Sequence, residues 1–282
     1  LGTLAAVALR AETGRGFAAS DWAALRFTLT QAILSAVTSV GLAIGLARAL
    51  ARRRFFGRSA LITLLGAPFI LPVIVAILGL LSVFGRAGWI SQLLMFFGLE
   101  PLQIYGLHGV VLAHVFFNLP LATRFLLQGW AAVPSERFKV VHSLAASPWA
   151  YFRLIEWPLL KSVVPGAFLL IFLLCLPSFA VALAVGGGPR GTTIELAIYQ
   201  AFRLDFDLGR AASLALVQFS LCGAVAVMAF LVPLPQTDGL GLGQLPQRLD
   251  AYGHRSVDFM WIASSAAFLI LPLGAILTRG LG

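Results

Sequence analysis

Of the 282 residues, 60% are hydrophobic and only 11% charged, where soluble domains carry about 25% charge; this excludes a water-soluble globular protein and makes the bilayer the main solvent. The 20 Lys and Arg outnumber the 11 Asp and Glu for a net charge of +9, which in such a chain orients loops across a membrane and does not imply nucleic acid as a partner. Cys175 and Cys222 each sit in an apolar run, at a spacing that suits neither a metal site nor a disulfide framework, and both read as small core residues.

The chain starts at Leu1 without a Met and stops at Gly282 just after an apolar stretch, so a processed, truncated or partly covered product is expected. Residues 1–24 read as the end of one membrane helix followed by an outer loop. A complete span needs about 20 mostly apolar residues to cross roughly 30 Å of hydrocarbon. Six segments qualify: 25–47, 59–84, 107–129, 162–185, 210–232 and 259–278. The expected fold class is therefore all-α, a polytopic transmembrane helical bundle.

The first span carries Gly41 and Gly45, a small-xxx-small spacing that lets helices approach closely. Arg48, Arg52, Arg53, Arg54 and Arg58 follow it, and a basic block this dense is held in the cytoplasm. Alternation then puts 133–158 and 233–258 inside, and 10–24, 85–106 and 186–209 outside. Segment 89–99 is apolar but too short to span, and reads as an interfacial or re-entrant helix with Trp89 at headgroup level.

Polar and helix-breaking residues interrupt two spans. Pro120 frees a backbone carbonyl that Asn118 is placed to satisfy, and both a kink lining a solute path and a plain packing kink fit. His114, one turn earlier, suits a wet cavity or a hydrogen bond to a neighbouring helix. Arg124 lies near the cytoplasmic end and snorkels. Pro177 and Ser178 break the span 162–185 as Pro120 breaks its own. Discontinuous helices mark translocation routes, so His114, Asn118, Pro120, Pro177 and Ser178 are the candidate path.

"VPSERFKVVHSLAASPWAYFRLIEWP", 133–158, is the longest polar interruption. Phe138, Val141, Leu144 and Ala145 recur at spacings of three and four, giving one apolar face to a helix of about eleven residues that opens at Pro134. Glu136, Arg137 and Lys139 form a polar rim. Ser147 is a suitable N-cap and Pro148 a suitable first helical residue, so a second short helix should run to about Ile155 and stop at Pro158. In the outer loop, "TTIELAIYQAF" puts Ile194, Ala197, Ile198 and Ala201 on one helical face, with Thr192 or Thr193 as cap.

The stretch from Pro134 to Pro158 resembles the coupling segment of binding-protein-dependent ABC importer permeases. Lys139-Val140-Val141 stands where that family has Glu-Ala-Ala, Ala145 where it has Gly, and Ile155-Glu156-Trp157-Pro158 where it has Ile-x-Leu-Pro. The spacing is kept, and Ala146, Ser147, Trp149, Phe152 and Arg153 are common family choices. Lys139 replaces the family carboxylate, with Glu136 one turn earlier, and Ala145 replaces the glycine, so the turn between helices falls to Ser147-Pro148. "ILPVIVAILGLLSVFGRAGW", "YGLHGVVLAHVFFNLPLATRFLLQ" and "GGGPRGTTIELAIYQAF" are similar to the first half of the permeases for thiamine and thiamine pyrophosphate, with permeases for ferric iron or another small solute as the alternative.

The resemblance implies a transmembrane domain of the type I importer kind over 25–232, a cytoplasmic linker over 233–258, and at 259–282 the first helix of a truncated second half. It also implies a multi-pass protein of the bacterial inner membrane. The partners would be a periplasmic substrate-binding protein, a cytoplasmic ATPase dimer and a second permease half, fused or separate. No cofactor is expected in this chain, and ATP and Mg would bind the ATPase. "GGGPRG" and "GLGLG" lack the Lys-Ser/Thr of a phosphate-cradling loop and read as turns. A membrane enzyme would need clustered acids or His at one face, yet the nearest acidic pair is Asp205 and Asp207. A secondary transporter would need ionisable residues in mid-span.

Overall fold

The computed structural model describes residues 18–143, 147–188, 191–232 and 255–280. The expectations for Leu144, Ala145 and Ala146, for 1–17 and for most of the linker lie outside those residues, as does the side chain of Lys139.

Helix α1, Ala19–Arg52, is the central post and packs most extensively along α6, Leu107–Ala131. Its buried face is built from small residues, Ala24, Ala32, Ala36, Ala43 and Ala47, which let a neighbour approach closely. Four polar residues, Thr28, Gln31, Ser35 and Ser39, share the buried surface. Their spacing of three and four is helical, so they form a polar stripe within an apolar span.

Two of the six expected spans are drawn differently. Segment 59–84 is not one helix but three, α2 at Arg58–Leu64, α3 at Ala67–Ile70 and α4 at Val73–Phe84. Pro72 is the cause of the second break: it donates no hydrogen bond, and it forces Leu71 into the extended region at φ −80°, ψ 139°. Segment 89–99 does form a short helix, α5 at Trp89–Phe96. The stretch long and apolar enough to cross is therefore Val73–Phe96.

Pro158 does not end a helix either. After α7, Ser135–Ser143, the chain enters α8, Pro148–Tyr151, where Ser147 caps as expected, its Oγ accepting from the Ala150 N–H at 3.3 Å. A π-turn over Phe152–Glu156 leads straight into α9, Trp157–Cys175. In the wider turn the Trp157 N–H reaches back to the Phe152 carbonyl, which relieves the clash a proline ring makes with the carbonyl four residues earlier. The crossing stretch becomes Trp149–Cys175, and α10, Phe179–Val185, follows a break at 176–178. Pro120, by contrast, sits inside an unbroken α6, so it is a kink at most.

Helix α11, Ile194–Arg203, is capped by Thr193 and buries Ile194, Ala197 and Ala201 as its pattern predicts. Helices α12, Leu208–Leu231, and α13, Arg255–Gly280, complete six membrane-spanning stretches among the described residues. Helix α13 seats against α4 and α1 in two glycine notches. A Cβ at Gly45 would lie 2.5 Å from the Trp261 ring, and one at Gly79 2.7 Å from the Pro272 carbonyl, whereas Gly41 has nothing within 4 Å. The Arg53 Nε donates to Asp258 at 2.6 Å and ties the start of α13 to the end of α1.

Gly79→Val therefore forces α13 off α4, and a loss of about 1–3 kcal/mol is expected from overpacking. Gly41→Val should change stability by about 0.5 kcal/mol or less. Thermal unfolding of the two variants in detergent distinguishes them; equal melting temperatures would contradict the notch.

Candidate functional site

The break at 176–178 leaves backbone groups that lipid cannot satisfy, and side chains from α1 and α11 meet them. The Gln31 Nε2 donates to the Cys175 carbonyl at 2.8 Å and lies 3.4 Å from the Ser178 Oγ. The Phe179 N–H donates to the Glu195 carboxylate at 2.9 Å. Burial pushes the Glu195 carboxyl up, with the Phe179 N–H pulling the other way. The Thr28 Oγ1 accepts from the Ile194 N–H at 2.9 Å and so pins α11 to α1.

Beside this break lies a cavity of about 220 Å³ lined by Phe69, Val73, His114, Phe117, Asn118 and residues 174–181 with the exception of Cys175 and Leu176. Four of the five path residues expected from sequence, His114, Asn118, Pro177 and Ser178, line it together. Pro120 does not. His114 takes the hydrogen bond to a neighbouring helix, its Nδ1 being 3.1 Å from the Ser35 Oγ. The Asn118 Nδ2 donates to the Cys175 Sγ at 3.3 Å, so Asn118 does not satisfy a carbonyl freed by Pro120. The cavity is built where both broken stretches meet α6.

At the opposite end, Phe138 and Val141 are 6% and 8% exposed. They face into this chain, Phe138 against Tyr151 with ring centroids 6.4 Å apart; these two residues of the expected apolar face are not presented to a partner. The exposed residues include Glu136, Arg137, Val140, Ser147 and Trp149, with Trp149 69% exposed and stacked on Phe152 at 5.5 Å. Pro134, Arg137 and Pro158 line one cleft of about 380 Å³, so the two bounding prolines come together.

Under this surface lies an ion cluster that sequence reasoning missed. Glu156, in the π-turn, accepts from the Arg48 Nε and the Arg52 Nη2, each at 3.0 Å. The Glu156 and Arg52 side chains are 1% and 4% exposed, against 40% for Arg48. The Arg52 guanidinium also lies 6.0 Å from the Tyr151 ring centroid, within cation–π reach. A chain of contacts thus runs from Phe138 through Tyr151 and Arg52 to Glu156.

Removing the buried charge should cost far more than removing the exposed one. Glu156→Gln leaves Arg52 without its counter-charge and is expected to lose about 3 kcal/mol or more, whereas Arg48→Gln should lose about 1 kcal/mol or less. Thermal melts of the purified variants measure both, and equal losses would contradict the cluster's geometry.

No family model matches the chain; its kinship shows in individual relatives. It is 45% identical over 261 residues to the thiamine transport system permease protein ThiP of Salmonella typhimurium, a match covering 92% of this chain and 49% of that protein. The chain thus spans about half the length of the curated thiamine permeases it matches. It is 31% identical over 212 residues to the molybdenum transport system permease protein ModB of Azotobacter vinelandii, covering 75% of this chain and 91% of that protein. A bacterial alginate ABC transporter, solved with an alginate-bound periplasmic protein, shares the fold at a TM-score of 0.69 and 13% identity over 81% of this chain and 86% of its own. Six apolar spans, a helical bundle and near full-length similarity to a transport permease together establish that the chain is a multi-pass membrane protein belonging to the permeases of ABC transport systems.

Proposed function

We propose that this chain is the permease part of an ATP-driven importer that carries thiamine or its phosphates across the bacterial inner membrane. The observation that carries the reading is 45% identity to a thiamine permease across 92% of the chain. In this reading a periplasmic binding protein delivers the solute at the outer end near α11. The solute passes the cavity at the helix breaks, and a second permease half, fused or separate, completes the pathway. Hydrolysis of ATP with Mg belongs to a cytoplasmic ATPase dimer, and this chain holds no cofactor.

Helices α7 and α8 are the docking element of that ATPase. Exposed Trp149 and Val140 supply apolar contacts and Glu136 and Arg137 the rim. Aromatic side chains of this kind carry most binding energy at protein interfaces. Buried Phe138 and Val141 then act as the anchor: displacement of α7 moves Tyr151, and Arg52 and Glu156 pass it to α1 and α9. A rigid, charge-locked connection suits transmission between a soluble motor and membrane helices.

Two measurements test the reading. Cells lacking thiamine transport, given this permease with its binding protein and ATPase, should accumulate labelled thiamine in an ATP-dependent manner; accumulation of another solute but not thiamine would overturn the substrate. Trp149→Ala should leave the protein in the membrane while weakening co-purification of the ATPase about tenfold or more. Undiminished co-purification would remove Trp149 from the docking surface.

A further inference from the structure

Resting on the thiamine reading, we propose that the cavity at the helix breaks is a recognition site for the ring system of an aromatic organic cation, with Glu195 as its counter-charge. Three phenylalanines from three separate stretches, Phe69 of α3, Phe117 of α6 and Phe179 of α10, line one space of about 220 Å³. Such convergence is unnecessary for lipid-facing packing, which any aliphatic residue serves. Aromatic faces carry negative potential and attract an organic cation, more strongly where water is excluded.

A cation entering a low-dielectric space also needs a nearby negative charge. Glu195 supplies it from behind the lining: its carboxylate accepts from the backbone N–H of Phe179, itself a lining residue, at 2.9 Å. Tyr199, one turn along α11, packs on Phe179 with centroids 5.3 Å apart. Among the described residues, no Lys or Arg lines the cavity, so an anionic group has no partner there and a phosphate tail would extend beyond it. The volume is below the roughly 300–1,000 Å³ of sites that enclose a whole ligand, which suits a waypoint for a ring system common to thiamine and its phosphates.

The polar groups add direction. His114 spends Nδ1 on Ser35, and Asn118 spends Nδ2 on Cys175. His114 Nε2 and Asn118 Oδ1 are left for a ligand, and an amino group on an aromatic ring finds its acceptor in Asn118 Oδ1.

The test uses the complete transporter in proteoliposomes with saturating loaded binding protein. The probes are thiamine and its neutral isostere, in which a thiophene replaces the thiazolium. Phe117→Leu and Glu195→Gln should each slow thiamine uptake about tenfold, and Phe117→Tyr should restore it. The glutamine still accepts from the Phe179 N–H, so Glu195→Gln should leave uptake of the neutral isostere within about twofold. Unchanged thiamine uptake in both variants, or equal loss of both probes in Glu195→Gln, would overturn the site while leaving the transporter a thiamine importer. A wild-type transporter that carries neither probe would instead overturn the functional reading beneath it.

Discussion

A helix broken inside hydrocarbon must find partners for every backbone group it frees, because no water is there to take them. This chain breaks two of its apolar stretches, at 71–72 and at 176–178, and much of its polar inventory is spent on the consequence. Gln31 holds the carbonyl that ends α9, Glu195 holds the amide that opens α10, and Thr28 fastens α11 to α1. Gln31 from the stripe on α1 and Glu195 from α11 thus let irregular backbone survive at that depth, and the cavity exists because the breaks do.

Both ends of the molecule are tied by Arg–carboxylate pairs. On the side of the basic loop, Arg52 and Glu156 are almost fully buried and held by charge, with aromatic contacts continuing through Tyr151 to α7. At the opposite end, Arg210 bridges Asp21 at 2.7 Å and Asp205 at 3.3 Å, joining the start of α12 to the start of α1. Between them, glycine notches seat α13 on α1 and α4. Between the two ion-paired ends, the break at 176–178 is held by single hydrogen bonds to Gln31 and Glu195, and motion is cheapest there.

Hydropathy alone made the all-α membrane bundle legible, since backbone satisfaction in lipid leaves little choice, and Ser147, Thr193 and the pattern of α11 were readable as local signals. Boundaries were less legible where proline was involved. Pro72 breaks a stretch that hydropathy joins, while Pro120 and Pro158 sit inside continuous helix, the latter because a π-turn makes room. A proline shows that an N–H is missing; only its neighbours decide whether the backbone bends, widens or stops.

The site was legible in part for the same reason. His114, Asn118, Pro177 and Ser178 are conspicuous in oily sequence, and they do line one cavity. Gln31, Ser35 and Glu195 were missed, although the spacing of Thr28, Gln31, Ser35 and Ser39 along one helical face was there to be read. Phe138 and Val141 were read as an outward face because periodicity identifies a buried stripe without naming what buries it.

If the cavity is part of the solute path and not a packing defect in lipid-facing helices, Phe117 of its lining meets water in at least one state of the transport cycle. Reactivity of Phe117→Cys toward a hydrophilic thiol reagent, measured in the assembled transporter with and without ATP trapping and against the parent containing Cys175 and Cys222, tests that directly. The account predicts labelling from the outer side in one nucleotide state and protection in the other. A residue unreactive from both sides in both states would contradict it.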